Sequence, residues 1–132
     1  MFIDMFAGAH EEMLVVCFLG KYGGILSRSV VTNYEKSAIS FNLSDIANEI
    51  NRIRPDSIII AHNHLSGNPN PSIADNMATK RIAILLNVHG VNFYDHLIFC
   101  GRDYFSYHLT GRLEKIKEEV RHTVNGNIDY NV

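Results

Sequence analysis

In this chain of 132 residues, the side chains best suited to chemistry crowd into one stretch, HNHLSGNPNPSIAD, from His62 to Asp75. An extended backbone turns alternate side chains the same way, so His62 and His64 share a direction and Asn63 opposes them. Ser72 and Asp75, three apart at a helix start, also share a face. The intervening loop carries Gly67, Pro69 and Pro71 and can fold back, bringing the helix N-terminus against the histidines. Two imidazole nitrogens and one carboxylate oxygen are the ligand set of a catalytic zinc that keeps its fourth position for water. Such an ion lowers the pKa of its water from above 15 to roughly 7 and supplies hydroxide at neutral pH. Hydrolysis also needs a base near that water. Glu12, opening the run EEMLVVCF, is the best-placed acid, with Glu11 its immediate rival. Ser72 would turn a hydroxyl toward the oxyanion that develops on an attacked carbonyl.

These groups need a frame to hold them. EEMLVVCFLG is a continuous apolar run ended by Gly20, the pattern of a strand buried on both faces. After the turn KYGG, ILSRSVVTNY reads as its hairpin partner, and SAISF as a short third strand. In NLSDIANEINRIRPDS, Leu43, Ile46, Ala47, Ile50 and Ile53 recur at helical spacing, with Ser44 as N-cap and Pro55 as the stop. The β-branched run SIIIAH is a buried strand that delivers the histidines to its C-terminal end, where open α/β sheets place their sites. A second helix begins near Ser72 and stops at Gly90, its core face including Ala74, Ala78, Ile82 and Leu85. VNFYDHLIFC and DYFSYH are two further strands, and GRLEKIKEEVRH is a surface helix followed by a frayed polar tail. This order predicts an α/β fold, a mixed β-sheet flanked by helices, in a single domain over residues 1–132. The core spans about residues 12–110, and residues 111–132 form the C-terminal helix and tail.

An apolar fraction of 46% closes one core without disulfide or metal staples. The net charge is -2 with Lys and Arg scattered, so the basic face expected of a nucleic-acid binder is missing. Cys17 and Cys100 sit in apolar strands and read as buried thiols, which suits a reducing compartment. The apolar runs near the start are too short for a signal peptide or membrane span, and a cytoplasmic protein is expected.

His62-Asn-His64, seven residues, then Ser72-Ile-Ala-Asp75 resembles the HxHx7SxxD signature of JAB/MPN (JAMM) metalloprotease domains. The longer string AHNHLSGNPNPSIAD, with Thr79 and then DHLI at Asp95 to Ile98, is similar to the bacterial RadC branch, and the likeness runs from about Glu12 to Tyr107. The resemblance implies a fold like that of the cytidine deaminases, with zinc (Zn2+) held by His62, His64 and Asp75. It implies Glu12 as the base and Ser72 as the residue steadying the tetrahedral intermediate. The reaction implied is hydrolysis of a peptide or isopeptide-like amide, and the partner a peptide or protein substrate. Departures from the pattern are Leu65 in place of a usual Pro and Gly20 in place of a common Asp. NYEKSAISFNLSD also lacks the usual Pro-Arg-Glu, and no counterpart of the N-terminal helical domain of longer members is seen.

Plainer readings compete. Ser-x-x-Asp is an acidic variant of the capping box and needs no metal; it leaves the two histidines unexplained, and an aspartate that caps still has a second oxygen for a cation. His10, His89, His108 and His122 lack companion spacing and read as surface or packed residues. His96 alternates with Asp95 across a strand, so only one can face the site; packing is the default role for His96, and a supporting role behind the ligands is the lesser alternative. Two rival functions remain: a DNA-repair-associated protein, which the RadC name suggests and the charge opposes, and a non-catalytic interaction module on the same fold.

Overall fold

The structure, a computed structural model, describes residues 2–32 and 43–130. Five strands form one mixed sheet in the order β2-β1-β3-β4-β5. In chain order, helix α1 (Phe2–Phe6) precedes the hairpin β1 (Met13–Leu19) and β2 (Ile25–Thr32), then α2 (Leu43–Ile53) and β3 (Ser57–Asn63). Helix α3 (Ile73–His89), strands β4 (Asn92–Cys100) and β5 (Asp103–Ser106), and helix α4 (Arg112–Tyr130) complete it. β1 pairs antiparallel with both β2 and β3, β3 runs parallel to β4 across the α3 crossover, and β5 returns antiparallel.

The unbroken apolar run of β1 follows from its place in the sheet. Leu14, Val16 and Phe18 face the side covered by α2, α3 and α4, where they join Ile58, Ile60, Ile82, Leu86 and Leu113. Val15, Cys17 and Leu19 face the other side and pack with Ala61, Phe99 and Phe6 of α1. A strand buried on both faces has no polar side to alternate. Pro55 disfavours a helical Arg54, which turns left-handed at φ 54° and ends α2. Gly90 closes α3 in the same region at φ 68°, where a side chain would be strained.

The structure departs from the sequence reading in a few places. Helix α1 was not anticipated: five residues are too few to show periodicity. Ser44 is not the N-cap of α2, because Leu43 is already helical and Ser44 lies in the first turn. SAISF lies outside the described residues. Helix α4 continues to Tyr130 rather than fraying after His122, with no proline to stop it. Cys17 is buried, but Cys100, last in β4, is only partly so; both are free thiols.

The choice between Asp95 and His96 is settled by register. The pairing of β3 with β4 slips between Ile58 and Ile59, which oppose Phe93 and Asp95. His96 then faces α3, while Asp95 fastens the end of the sheet. Its Oδ1 accepts from the backbone N–H of His96 (2.7 Å) and of His108 (2.9 Å), and its Oδ2 from the Ser106 hydroxyl (2.6 Å). Truncating this carboxylate strands three donors. Asp95→Ala is therefore expected to cost about 2 kcal/mol or more in urea unfolding; a loss under about 0.5 kcal/mol would mean the clamp is dispensable.

Candidate metal centre

Antiparallel pairing sets the start of β1 beside the end of β3, with Leu14 opposite His62. Asn63, pointing away from His62, holds that corner together. Its Oδ1 accepts from Met13 N–H (2.7 Å) and its Nδ2 donates to the Glu11 carbonyl (3.2 Å). The two bonds grip the backbone on either side of Glu12. Beyond the strand, His64 N–H donates to the Phe99 carbonyl (2.7 Å), which keeps the chain extended for one more residue.

The loop then reverses through Gly67, at φ 83°. His64 Nδ1 lies 3.0 Å from the Asn68 carbonyl, and Asn68 Oδ1 accepts from Asn70 N–H (2.9 Å). Helix α3 opens with a reciprocal capping box: Ser72 Oγ accepts from Asp75 N–H (3.1 Å) and Asp75 Oδ2 accepts from Ser72 N–H (2.8 Å). The same carboxylate meets both histidines, with Oδ1 3.2 Å from His62 Nε2 and Oδ2 3.0 Å from His64 Nε2. Cap and cluster coexist, because the carboxylate that caps the helix is also the one beside both histidines.

Glu12 joins this group. A ligand atom from each of Glu12, His62 and His64 lies within 4.8 Å of the others, a set able to hold a metal ion. Glu11, the rival acid, is absent from the set and contributes its carbonyl to Asn63 instead. Ser72 remains exposed, and accepting from Asp75 N–H uses a lone pair of its oxygen, so its own proton is still available to donate.

The electrostatics divide the two imidazoles. Burial lowers His62, against the pull of Asp75, and keeps it neutral near pH 7. His64 is raised to about 8 by its hydrogen bond to Asp75, with burial opposing. Burial alone would raise Asp75, yet the bonds from His62 and His64 outweigh it and hold the carboxyl well below the usual carboxylate range. His96, fully enclosed, is lowered far below an ordinary histidine by its burial.

A family model for the RadC-like JAB domain matches residues 1–113. The chain belongs to that family. A UPF0758 protein of Thermotoga maritima is 36% identical over 103 residues, covering 78% of this chain and 46% of its own length. A UPF0758 protein of Actinobacillus pleuropneumoniae serotype 5b is 29% identical over 97 residues (74% and 44%), and one of Photorhabdus laumondii 27% over 95 residues (72% and 41%). The chain thus spans less than half the length of these curated relatives. Among its described residues, no helix is long and apolar enough to cross a membrane.

Within this RadC-like domain, the sequence reading names Glu12, His62, His64 and Asp75 but takes Asp75 as the third ligand and Glu12 as the base, whereas the ligand atoms grouped within 4.8 Å are those of Glu12, His62 and His64. Three further residues support the cluster: Asn63 figures in the sequence only as the residue between two histidines, Thr79 only in the family likeness, and His96 as a packing residue with a supporting role behind the ligands as the lesser alternative. The His96 Nε2 lies 2.8 Å from His62 Nδ1, which favours the lesser alternative. The strand alternation that opposes Asn63 to the histidines was the available signal for the first.

The His64–Asp75 pair sets a pH dependence for the protein without bound cation. Folded His64 holds its proton more tightly than the ordinary value of 6.5, so the pair's stabilisation is complete below 6.5 and is lost as pH rises through about 8. An NMR titration of the metal-free protein should find His64 titrating near 8 and Asp75→Asn should move it down; a midpoint near 6.5 with Asp75 intact would show that the pair does not form in solution.

Proposed function

We propose that this RadC-like domain is a zinc-dependent hydrolase acting on a peptide or isopeptide-like amide. The observation that carries the reading is the meeting of two histidine Nε2 atoms with one buried carboxylate at 3.0 and 3.2 Å, with Glu12 alongside. Ligands on a tetrahedral zinc with bonds of about 2 Å stand roughly 3.3 Å from one another, close to the spacing seen here. His64 adds a chemical argument. The Asn68 carbonyl can only accept, so Nδ1 carries the proton and neutral His64 offers its Nε2 lone pair toward Asp75.

On this reading His62, His64 and Asp75 hold the ion, which supplies the Lewis acidity that makes water nucleophilic at neutral pH. Glu12, gripped through its backbone neighbours by Asn63, takes a proton from the attacking water and returns it to the departing amine. Ser72 donates its hydroxyl proton to the oxygen of the attacked carbonyl as negative charge develops there. The C–N bond breaks; hydroxyl stays with the acyl carbon and the proton leaves with the amine. A cavity of about 420 Å³, lined by Ile3, Phe6, Leu65, Phe99 and Arg102 and reaching His64, supports the approach of a chain-like substrate from the α1 side.

Protein purified without chelator is expected to carry about one equivalent of zinc per chain by elemental analysis, and His62→Ala or Asp75→Ala to lose it. Glu12→Gln should keep the zinc while cleavage in a panel of peptide and isopeptide amides falls on the order of a hundredfold or more. Zinc retained by Asp75→Ala would remove that residue from the ligand set, and undiminished cleavage by Glu12→Gln would remove the base.

A further inference from the structure

A line of buried polar groups runs from the candidate ligand His62 into the core. His62 Nδ1 lies 2.8 Å from His96 Nε2, His96 Nδ1 lies 2.7 Å from Thr79 Oγ1, and Thr79 Oγ1 lies 2.7 Å from the Asp75 carbonyl oxygen. His62, His96 and Thr79 have no solvent exposure, so each proton on this line must lie between two protein atoms. The His96 ring cannot turn easily: Tyr107 stacks on it at 4.8 Å between centroids and 6° between planes. Tyr107 is itself held by donating its hydroxyl to Asn76 Oδ1 (2.7 Å).

With neutral rings, the ring-to-ring bonds can be made in two settings, of which only the first keeps the hydroxyl's bond to the Asp75 carbonyl. In one, the Thr79 hydroxyl donates to the Asp75 carbonyl and accepts from His96 Nδ1–H. His96 Nε2 is then bare and accepts from His62 Nδ1–H, which leaves a lone pair on His62 Nε2 facing the Asp75 carboxylate. In the other, the hydroxyl donates to His96 Nδ1, His96 Nε2–H donates to His62 Nδ1, and His62 Nε2–H donates to Asp75 Oδ1. Both settings carry the same three protons. Only the first offers a ligand atom, and it opposes a lone pair to a carboxylate 3.2 Å away unless a cation lies between them.

We propose that Thr79 and His96 are positioning residues that set the tautomer of His62, making its Nε2 a metal ligand through the carbonyl-anchored Thr79 hydroxyl. The claim rests on the metal reading above. It differs from the way His64 is set, by one backbone carbonyl in its own loop. The Thr79 hydroxyl serves either setting, as acceptor from His96 Nδ1–H or as donor to His96 Nδ1, and keeps its bond to the Asp75 carbonyl only in the first. Thr79→Val keeps the shape and deletes the acceptor for His96 Nδ1–H. A buried donor without an acceptor is unfavourable, so His96 shifts its proton to Nε2 and His62 is driven into the form that cannot ligate.

The test is zinc affinity by competition with a chromophoric chelator on the full chain, for wild type, Thr79→Val and Thr79→Ser. Thr79→Val is expected to bind zinc about ten- to a hundredfold more weakly, and Thr79→Ser, which keeps the hydroxyl and loses a methyl, to bind as wild type does. Both variants lose some stability, so weakened folding alone would not separate them. Histidine tautomers read by ¹⁵N NMR on zinc-loaded wild type should show Nδ1–H on both His62 and His96, a readout that stands even if Thr79→Val does not fold. Equal zinc affinity in all three proteins, or Nε2–H on His96 in the loaded protein, overturns the proposal and leaves the metal site intact. Failure of wild type itself to bind zinc overturns both.

Discussion

A carboxylate removed from water must be compensated by charge or by hydrogen-bond donors, and Asp75, only 4 % exposed, depends on its neighbours for all of that compensation. It receives Ser72 N–H at the first turn of α3, where the helix dipole also favours negative charge, and it faces His62 and His64 across 3.2 and 3.0 Å. Each of those partners is delivered by a separate element: a central strand for His62, its extension for His64, a helix cap for Ser72. The loop joining them contributes as well, since its Asn68 carbonyl orients the His64 ring. The crossover from β3 to α3 is thus built around one anion.

The sheet decides what else can reach that anion. β1 runs antiparallel to β3, so the residues before β1 meet the residues after His62, and Glu12 arrives beside the histidines. A parallel pairing would have put it at the far end of the sheet. β4 runs parallel to β3, so its helix-facing side chains lie level with those of β3, and His96 meets His62 rather than solvent. Asn63 and His62, adjacent in sequence and opposed in direction, divide the work: one grips the chain around Glu12 and the other points into the cluster.

What could be read from the sequence follows from these distances along the chain. His62, His64, Ser72 and Asp75 lie within one strand-loop-helix unit, so spacing and alternation alone bring them together. The strand and helix order was legible for the same reason, since periodicity is local. Glu12 required knowing that β1 pairs antiparallel with β3, which residue types do not state; family likeness supplied it. His96 required the register of β4, including a slip opposite Ile58 and Ile59 that no alternation pattern announces. Its partner Thr79 was marked by the family likeness alone, because the bond that gives it meaning spans 17 positions. Leu65, where similar domains usually have Pro, leaves the loop intact: His64 still extends the strand and Asn68 still reaches back.

The opposite behaviour of the two histidines lets one buried carboxylate sit between them. A small metal-stapled domain lacks a core and unfolds when its cation leaves. Here a core of Leu14, Phe18, Ile58, Ile60 and Leu86 holds the sheet on its helices and reaches the cluster through Leu14, which lies opposite His62. Within the cluster, His64 is raised to about 8, so near neutral pH its proton supplies the positive charge that Asp75 needs. His62 stays neutral, because a second charge in so enclosed a place would cost more than the carboxylate returns. The geometry of the cluster is set by the fold and not by a staple, which is the arrangement a metal site needs if one coordination position is to stay open for chemistry.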